Sequence, residues 1–361
     1  MQKIASMKKN EYLVVGMMSG TSLDGLDLVL CRFRKEGENW QFRVEKAATI
    51  EYTAEWKARL NDAFGLSAPD LLQLHCHYGR FIGNNISEFL SGFTEPVDLV
   101  ASHGHTVFHQ PEQGFTFQLG EGSALASGCN LLTVSDFRTM DVALGGQGAP
   151  LVPIGDELLF GEYRYCLNLG GFANVSTNKT GLRVACDICP VNIVANNLAM
   201  RAGFEYDNEG EMGSRGDVEA SLVTALNNLG FYSRKGPKSL GREWVENEFM
   251  PVIQSYNIPL ESLIRSAYEH MAVQIAAYVN EYGTGNMLVT GGGAFNTFLI
   301  GLIKSKTEVH LIIPDEGIVK FKEAIIFAFL GLLRYREEIN CLASVTGARR
   351  NSSSGAIHIP A

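Results

Sequence analysis

Glu11–Phe33, EYLVVGMMSGTSLDGLDLVLCRF, decides how the rest of the chain is read. Tyr12–Val15 is one apolar run and Leu26–Phe33 another, with small and polar residues between them. That pattern predicts a strand, a polar turn and a returning strand. Gly16, Gly20 and Gly25 let the backbone approach an anion closely, while Ser19, Thr21 and Ser22 supply hydroxyls. Asp24 and Asp27 add carboxylates able to hold a divalent cation, or its waters, beside that anion. An ordinary hairpin with a floppy tip has no use for so many donors, and a phosphate cradle is the reading they favour.

The chain has 361 residues, room for about two domains and a substantial core. No apolar run is long enough to span a bilayer, so no membrane partner is expected. No basic start followed by an apolar stretch and a cleavage site is present, so no secretory signal is expected; MQKIASMKKN reads as a disordered polar lead-in. A net charge of −9 disfavours nucleic acid and suits a soluble cytoplasmic enzyme. Seven scattered cysteines do not form a disulfide framework and point to a reducing compartment.

Outward from the hairpin, Trp40–Ile50 reads as a third strand, Glu55–Ala63 and Pro69–Leu90 as helices, and Asp98–Ser102 as a buried strand ending in HGHTVFH. Gly114–Leu119 and Leu131–Ser135 are further strands. Asp141–Pro153, DVALGGQGAPLVP, is too rich in Gly and Pro to be one regular element and reads as a domain junction. The expected lobes are therefore 1–140 and 141–340, with the tail 341–361 packing back on the first. The second half restarts the same grammar: strand Tyr163–Leu169, the turn GGFAN, then Val175–Thr177 returning. Arg183–Asp187 is a strand and Asn192–Arg201 a helix. Glu261–Tyr282 is a long helix, Met287–Thr290 runs into GGGAFN and the helix Thr297–Lys304, and Glu323–Tyr335 is an apolar helix. Strand–glycine turn–strand near the start of each half is a weak internal repeat, as a duplicated fold holding a nucleotide between its halves would show.

Three glycine turns thus stand in series, GMMSGTSLDG, LNLGGFAN and VTGGGAFN. None is a GxGxxG dinucleotide turn or a Walker loop, and a nucleotide held by hairpins of two lobes uses all three. The third leads into a helix, whose N-terminus favours negative charge. Asp187, at a strand end, is a candidate general base, with helix N-capping as its structural alternative. Cys186 and Cys189 make a lone CxxC, but the strand context and Pro190 speak against redox chemistry. His103 and His105, followed by His109, resemble half of a zinc or iron motif; Val107 and Phe108 interrupt it, so a substrate-contacting loop is favoured. Arg138 can bind a substrate carboxylate bidentately, or form an ion pair between lobes.

These residues resemble the anhydro-N-acetylmuramic acid kinases over about Tyr12–Pro360, in seven ordered blocks: GMMSGTSLDGLD, SHGHTVFH, DFRTMDVALGGQGAPLVP, LNLGGFANVS, GPKSLGRE, TGGGAFN and SVTGA. The resemblance implies a two-lobed α/β fold of the hexokinase–actin–heat-shock ATPase superfamily, with ribonuclease H-like lobes and an interlobe cleft. It also implies ATP and Mg²⁺ as cofactors, a possible homodimer, and 1,6-anhydro-N-acetylmuramic acid as substrate. Water would open the anhydro bridge while the γ-phosphoryl passes to the freed 6-oxygen. Gly20, Thr21, Ser22, Leu23, Asp24, Gly25, Leu26 and Asp27 would line the ATP phosphates, with Asp24 near the metal. Gly170, Gly171 and Asn174 would form a second phosphate turn, and Gly291, Gly292 and Gly293 would approach the adenosine. Asp187 matches the catalytic base and Glu323 an acid near the sugar, where His103, His105 and Arg138 are also expected. The sequence departs from the family in reading DICPVN at Asp187–Asn192 in place of DTGPGN, GIVKFK before Glu323 where acidic residues are common, and His105 in place of a commoner Gln.

Overall fold

The computed structural model describes residues 9–20, 23–179, 181–234 and 238–360. The expected lead-in, residues 1–8, lies outside the described residues, as do Thr21 and Ser22 and part of the GPKSLGRE block. The chain divides into two compact units, Met1–Leu159 with Phe321–Ala361, and Phe160–Lys320.

In the first unit β1 (Glu11–Ser19), β2 (Gly25–Glu36) and β3 (Asn39–Glu51) form an antiparallel meander. β4 (Leu99–Ser102) runs parallel to β1. Among the described residues β5 (His105–Gln110) and β6 (Phe115–Leu119) pair only with each other. β7 (Thr133–Ser135) continues the main sheet parallel to β4. Leu13, Val15 and Met17 alternate on one face of β1 and bury against Leu74, Tyr78, Ile82 and Ile86 of the helix Ala68–Phe89. Each such side chain contributes roughly 1.5–3 kcal/mol on burial.

The intervening position on β1 is Gly16, and there the helix Glu316–Tyr335 lies against the strand. A Cβ on Gly16 would stand 2.1 Å from the carbonyl oxygen of Ala324 and 2.8 Å from the Cβ of Ala328. Gly16 therefore admits a helix, not the anion the sequence suggested. The helix begins at Glu316, ahead of the expected Glu323, so GIVKFK is helical. This contact sets the position of Glu323, one residue before Ala324.

The contacts divide the chain after Leu159 and after Lys320, whereas composition suggests 140 and 340. The reason lies at Asp141, which is buried. Its Oδ2 accepts the Gly148 N–H at 2.8 Å, and its Oδ1 accepts the Thr346 hydroxyl at 2.7 Å and the Cys341 thiol at 3.1 Å. The same loop is further tied by the N–H of Gln147, which donates to the Thr346 carbonyl at 2.8 Å. The glycines and prolines of this stretch serve tight turns inside the first unit.

In the second unit β8 (Tyr165–Leu169), β9 (Phe172–Lys179) and β10 (Leu182–Pro190) form another antiparallel meander. β11 (Asn286–Thr290) is parallel to β8, and β12 (His310–Ile312) parallel to β11. The order β10-β9-β8-β11-β12 is the same as β3-β2-β1-β4-β7 in the first unit. Helices Asn192–Met200, Leu260–Tyr282 and Thr297–Lys304 bury Leu198, Ile264, Met271, Ile275 and Leu299 on the second sheet's core face. The tail supplies β13 (Ala356–His358), antiparallel to β7 and sixth in the first sheet. Among the described residues no helix is long and apolar enough to cross a membrane.

Candidate active site

In the first unit, the residues after β1 carry the first group. Asp24 is exposed, and Asp27 on β2 accepts the Thr49 hydroxyl at 2.6 Å. Burial lifts the Asp27 carboxyl above its usual range, and the charge of Asp24 adds to the shift. Leu23 holds φ 59° at the tip of the turn. A Cβ at Gly25 would meet Thr49 Cγ2 at 2.7 Å, so its absence makes room for β3. Leu26 is fully buried in the core, leaving only its backbone to a ligand.

β4 delivers the histidines. Gly104 takes φ 75°, and a Cβ there would strike the Leu119 carbonyl oxygen at 2.3 Å, so only glycine fits between His103 and His105. His103 donates through Nδ1 to the Gly104 carbonyl at 2.9 Å. Its Nε2 accepts from Arg138 Nε at 3.0 Å and Nη2 at 2.8 Å. Burial, and then Arg138, keeps this ring neutral, far below its usual pKa. With both nitrogens engaged, His103 is not a metal ligand. Among the described residues no group of three or more His, Cys, Asp or Glu is placed to hold a metal ion.

Arg138 also donates Nη1 to the Gly148 carbonyl at 2.6 Å, which leaves one hydrogen on each terminal nitrogen. Burial brings its pKa down to about 10, opposed chiefly by the negative charge of Glu323. Loss of solvent around the Glu323 carboxyl raises it above the usual range. Arg138 and Lys322 oppose that rise and Asp27 adds to it, so these groups share one electrostatic neighbourhood. Beside Glu323, Lys322 is buried against Asp156 at 2.7 Å. His105 accepts or donates at Nδ1 with the Ser19 hydroxyl, 3.1 Å away.

In the second unit, register aligns a polar row across four strands. Asp187 of β10 faces Asn174 of β9, Asn174 faces Asn168 of β8, and Asn168 faces Thr290 of β11. Directly paired residues point to one face of a sheet. A bulge between Asp187 and Cys189 breaks the β10 ladder immediately after the carboxylate. Asp187 Oδ2 accepts the Leu240 N–H at 2.8 Å, and its own N–H donates to the Lys238 carbonyl at 2.9 Å. Burial raises the Asp187 carboxyl above its usual range, with the Leu240 N–H opposing.

Asp187 caps no helix. The helix Asn192–Met200 has Val191 at its N-cap, without a side-chain cap. Its first N–H groups go instead to the glycine turn: Val191 to the Gly171 carbonyl at 2.8 Å and Asn192 to the Gly170 carbonyl at 3.2 Å. Val191 has φ −126°, and neither it nor Cys189 has a positive φ, so the chain follows a path here that needs no glycine. Cys189 is buried in the core on a strand, and burial raises its thiol and that of Cys186, which removes the redox reading.

The two glycine turns of this unit lie side by side. A Cβ on Gly171 would meet nothing within 4 Å, so that turn faces open space. Gly291 takes φ 83°, and a Cβ there would stand 2.7 Å from Asn168 Oδ1. A Cβ on Gly170 would stand 3.2 Å from Asn168 Nδ2, and one on Gly293 3.3 Å from Asn192 Oδ1. The Asn168 and Asn192 amides thus fill the space between the turns. A 3-10 turn, Gly292–Phe295, separates the third glycine run from the helix Thr297–Lys304. That helix is capped by Asn296 Oδ1 on the Leu299 N–H at 2.9 Å, which satisfies one of its first-turn N–H groups.

A family model described as anhydro-N-acetylmuramic acid kinase matches residues 12–360. The chain belongs to the anhydro-N-acetylmuramic acid kinase family. It is 30% identical to the "Anhydro-N-acetylmuramic acid kinase" of Bacillus cereus (strain AH187) over 378 residues, 96% of this chain and 99% of that protein. It is 30% identical to the enzyme of that name from Caldanaerobacter subterraneus subsp. tengcongensis, covering 97% of this chain and 98% of that one. Among solved structures it is similar to "Activator of the 2-Hydroxyisocaproyl-CoA Dehydratase from Clostridium difficile with bound ADPNP", at 15% identity and a TM-score of 0.43, over 90% of this chain and 96% of that one. Sequence reading missed Asn168 and Asn192 of this kinase-family chain. Only strand register and the crowding at their neighbouring glycines bring them out.

Proposed function

We propose that the protein is an ATP-dependent kinase that opens 1,6-anhydro-N-acetylmuramic acid with water and phosphorylates the freed 6-oxygen. The product is N-acetylmuramic acid 6-phosphate, an intermediate of cell-wall recycling. The observation that carries this reading is Asp187, a carboxylate beside a bulge with one oxygen held by a backbone N–H and the other without a hydrogen-bond partner among the described residues. A base must be fixed and yet keep a free lone pair, and a pKa moved up toward neutrality strengthens it.

Asp187 takes the proton of the water that attacks the anomeric carbon. The new C1–O bond forms as the C1–O6 bond breaks, and O6, carrying the electron pair, receives the γ-phosphoryl as the bond from Pγ to the β–γ bridging oxygen breaks and ADP leaves with that electron pair. Bond making and breaking at one oxygen leave the protein chiefly with positioning and charge stabilisation. The open Gly170–Gly171 turn and Asn174 suit phosphate oxygens, and Gly291, Gly292 and Gly293 suit close approach of the adenosine. On the first unit, Gly20 to Asp27 are the other phosphate contacts. Asp27 is raised partly by the like charge of Asp24, a repulsion that a divalent cation relieves; Asp24 therefore fits Mg²⁺. Bound there, Mg²⁺ would supply charge neutralisation on the phosphates.

His105, Arg138 and Glu323 hold the sugar directly, and His103 acts there through Arg138, since both of its ring nitrogens are engaged. Arg138, oriented by His103 and Gly148, has two hydrogens left for the lactyl carboxylate. Glu323 accepts from a sugar hydroxyl. Seven cysteines scattered through a long chain suit a reducing compartment, and the cytoplasm is the location this reading assigns. A coupled ADP-release assay over a panel of anhydro- and free amino sugars tests the reading. Turnover with 1,6-anhydro-N-acetylmuramic acid is expected to exceed that with every free sugar; ATP binding with no turnover on any anhydro-sugar would refute it.

A further inference from the structure

Beneath His105 runs a buried chain of hydroxyls that the reaction as described does not use. The Tyr52 hydroxyl donates to Ser19 Oγ at 2.8 Å, and the hydroxyls of Tyr52 and Tyr78 are 2.6 Å apart. Ser19 Oγ in turn lies 3.1 Å from His105 Nδ1. All four side chains are buried: Ser19 is 2% exposed, Tyr52 4%, Tyr78 0% and His105 4%.

The hydrogen count gives the chain a direction. Tyr52 has one hydrogen and gives it to Ser19, so the Tyr52–Tyr78 bond must use the hydrogen of Tyr78. Ser19 then has its own hydrogen to place, and His105 Nδ1 is an acceptor within reach, beside the Tyr78 hydroxyl that also bonds Ser19 and gives its own hydrogen to Tyr52. An Nδ1 that accepts leaves the ring hydrogen on Nε2. His105 Nε2 has no hydrogen-bond partner among the described residues, although the ring is edge-on to Tyr78 at 6.5 Å.

We propose that Ser19, Tyr52 and Tyr78 are positioning residues that hold His105 as its Nε2–H tautomer, so that His105 presents an N–H donor to an uncharged oxygen of the sugar. Burial supports the same conclusion by pushing the ring's pKa down to about 4, which keeps it neutral at neutral pH. A neutral N–H matches a hydroxyl, ether or amide oxygen; a phosphate oxygen would favour the charged ring. Two buried tyrosines and a serine whose hydrogens run one way are more than packing requires, since phenylalanine and alanine would fill the same space. This inference rests on the sugar-kinase reading above, but the tautomer itself does not.

The test uses the full-length protein labelled with ¹⁵N, with the His105 resonances assigned by His105→Gln. Long-range proton–nitrogen correlation is expected to show a bare Nδ1 and a protonated Nε2 at neutral pH. In Tyr52→Phe, which keeps the ring, and in Ser19→Ala, the tautomer population is expected to mix. The KM for the sugar then rises about tenfold, the value of one hydrogen bond, while the KM for ATP holds. Ser19→Thr, which keeps a hydroxyl at this position, is expected to hold the tautomer population and the sugar KM near wild type. An Nδ1–H ring in the wild type, a tautomer unmoved by both substitutions, or a KM change confined to ATP would each overturn the proposal. Wild-type protein inactive on every anhydro-sugar would instead refute the kinase reading, with the tautomer measurement still deciding the role of the hydroxyl chain.

Discussion

Asp187 is held in its folded setting with a raised pKa, and the same burial has opposite consequences for activity and for stability. For activity, kcat/KM is expected to climb with pH through a value above 3.8, the ordinary carboxyl pKa, as the base loses its proton. For stability, a folded-state pKa above the unfolded one means the contribution is full at low pH and lost as pH rises through the folded value. At neutral pH the charged carboxylate therefore opposes folding. Asp187→Asn retains an oxygen for the Leu240 N–H while removing the charge. It is expected to lower kcat by roughly 10²–10⁴-fold, keep ATP affinity and raise the melting temperature at neutral pH; steady-state kinetics, calorimetric titration and thermal unfolding read the three effects. The strand that carries Asp187 was legible in the sequence, but it runs on to Pro190, so Asp187 stands before a bulge inside the strand and not at its end. Asn168 was not legible, because a strand residue ahead of two glycines shows its role only when β8 and β11 are seen in register. Ser19 is legible only in part: it stands next to the phosphate turn, but its hydroxyl points into the buried chain to His105.

The elements that carry these residues are legible to within a few positions wherever period and turn chemistry agree, as in Ala68–Phe89, Leu260–Tyr282 and Thr297–Lys304. Legibility fails where glycine serves packing between elements. Gly16 looks the same in sequence as a ligand-facing glycine, yet its missing side chain is what lets the helix Glu316–Tyr335 meet β1. Gly16→Val is expected to destabilise the protein by about 1–3 kcal/mol through overpacking, measured by urea unfolding. The displaced helix carries Glu323, so the same variant is expected to raise the sugar KM. An equally stable Gly16→Val protein would show that the helix does not rest on this glycine. At the second pair of glycine turns, Asn168→Ala removes the amide between Gly170 and Gly291. It is expected to weaken ATP binding about tenfold, read by calorimetric titration, with little change in sugar affinity.

Across the whole molecule, two units repeat one strand order, which a pair of glycine hairpins in the sequence only hinted at. The boundary between them was not legible, because Asp141 folds a glycine- and proline-rich stretch into the first unit by contacts 200 residues distant in sequence. Composition cannot report such contacts. Both units also bury neutral histidines: His103 and His105 in the first, and His270 in the second, where burial lowers the pKa to about 3. Their folded pKa values lie below the unfolded 6.5, so the unfolded chain binds more protons as the solution is acidified. Stability is expected to fall as pH drops below that value, each ring contributing up to about 1.4 kcal/mol per pH unit. The raised carboxyls of Asp27, Asp187 and Glu323 offset this only at lower pH, where they take up protons in the folded state. Unfolding by urea at a series of pH values measures the slope.

The reaction itself offers the most direct test of what the two units do. The protein is incubated with 1,6-anhydro-N-acetylmuramic acid, ATP and Mg²⁺ in ¹⁸O-water, and the product is read by mass spectrometry soon after mixing. Water attack at the anomeric carbon predicts label on the C1 hydroxyl, an unlabelled phosphate on O6 and an opened anhydro ring. Label in the phosphate, or a phosphorylated sugar whose anhydro bridge is intact, would contradict it.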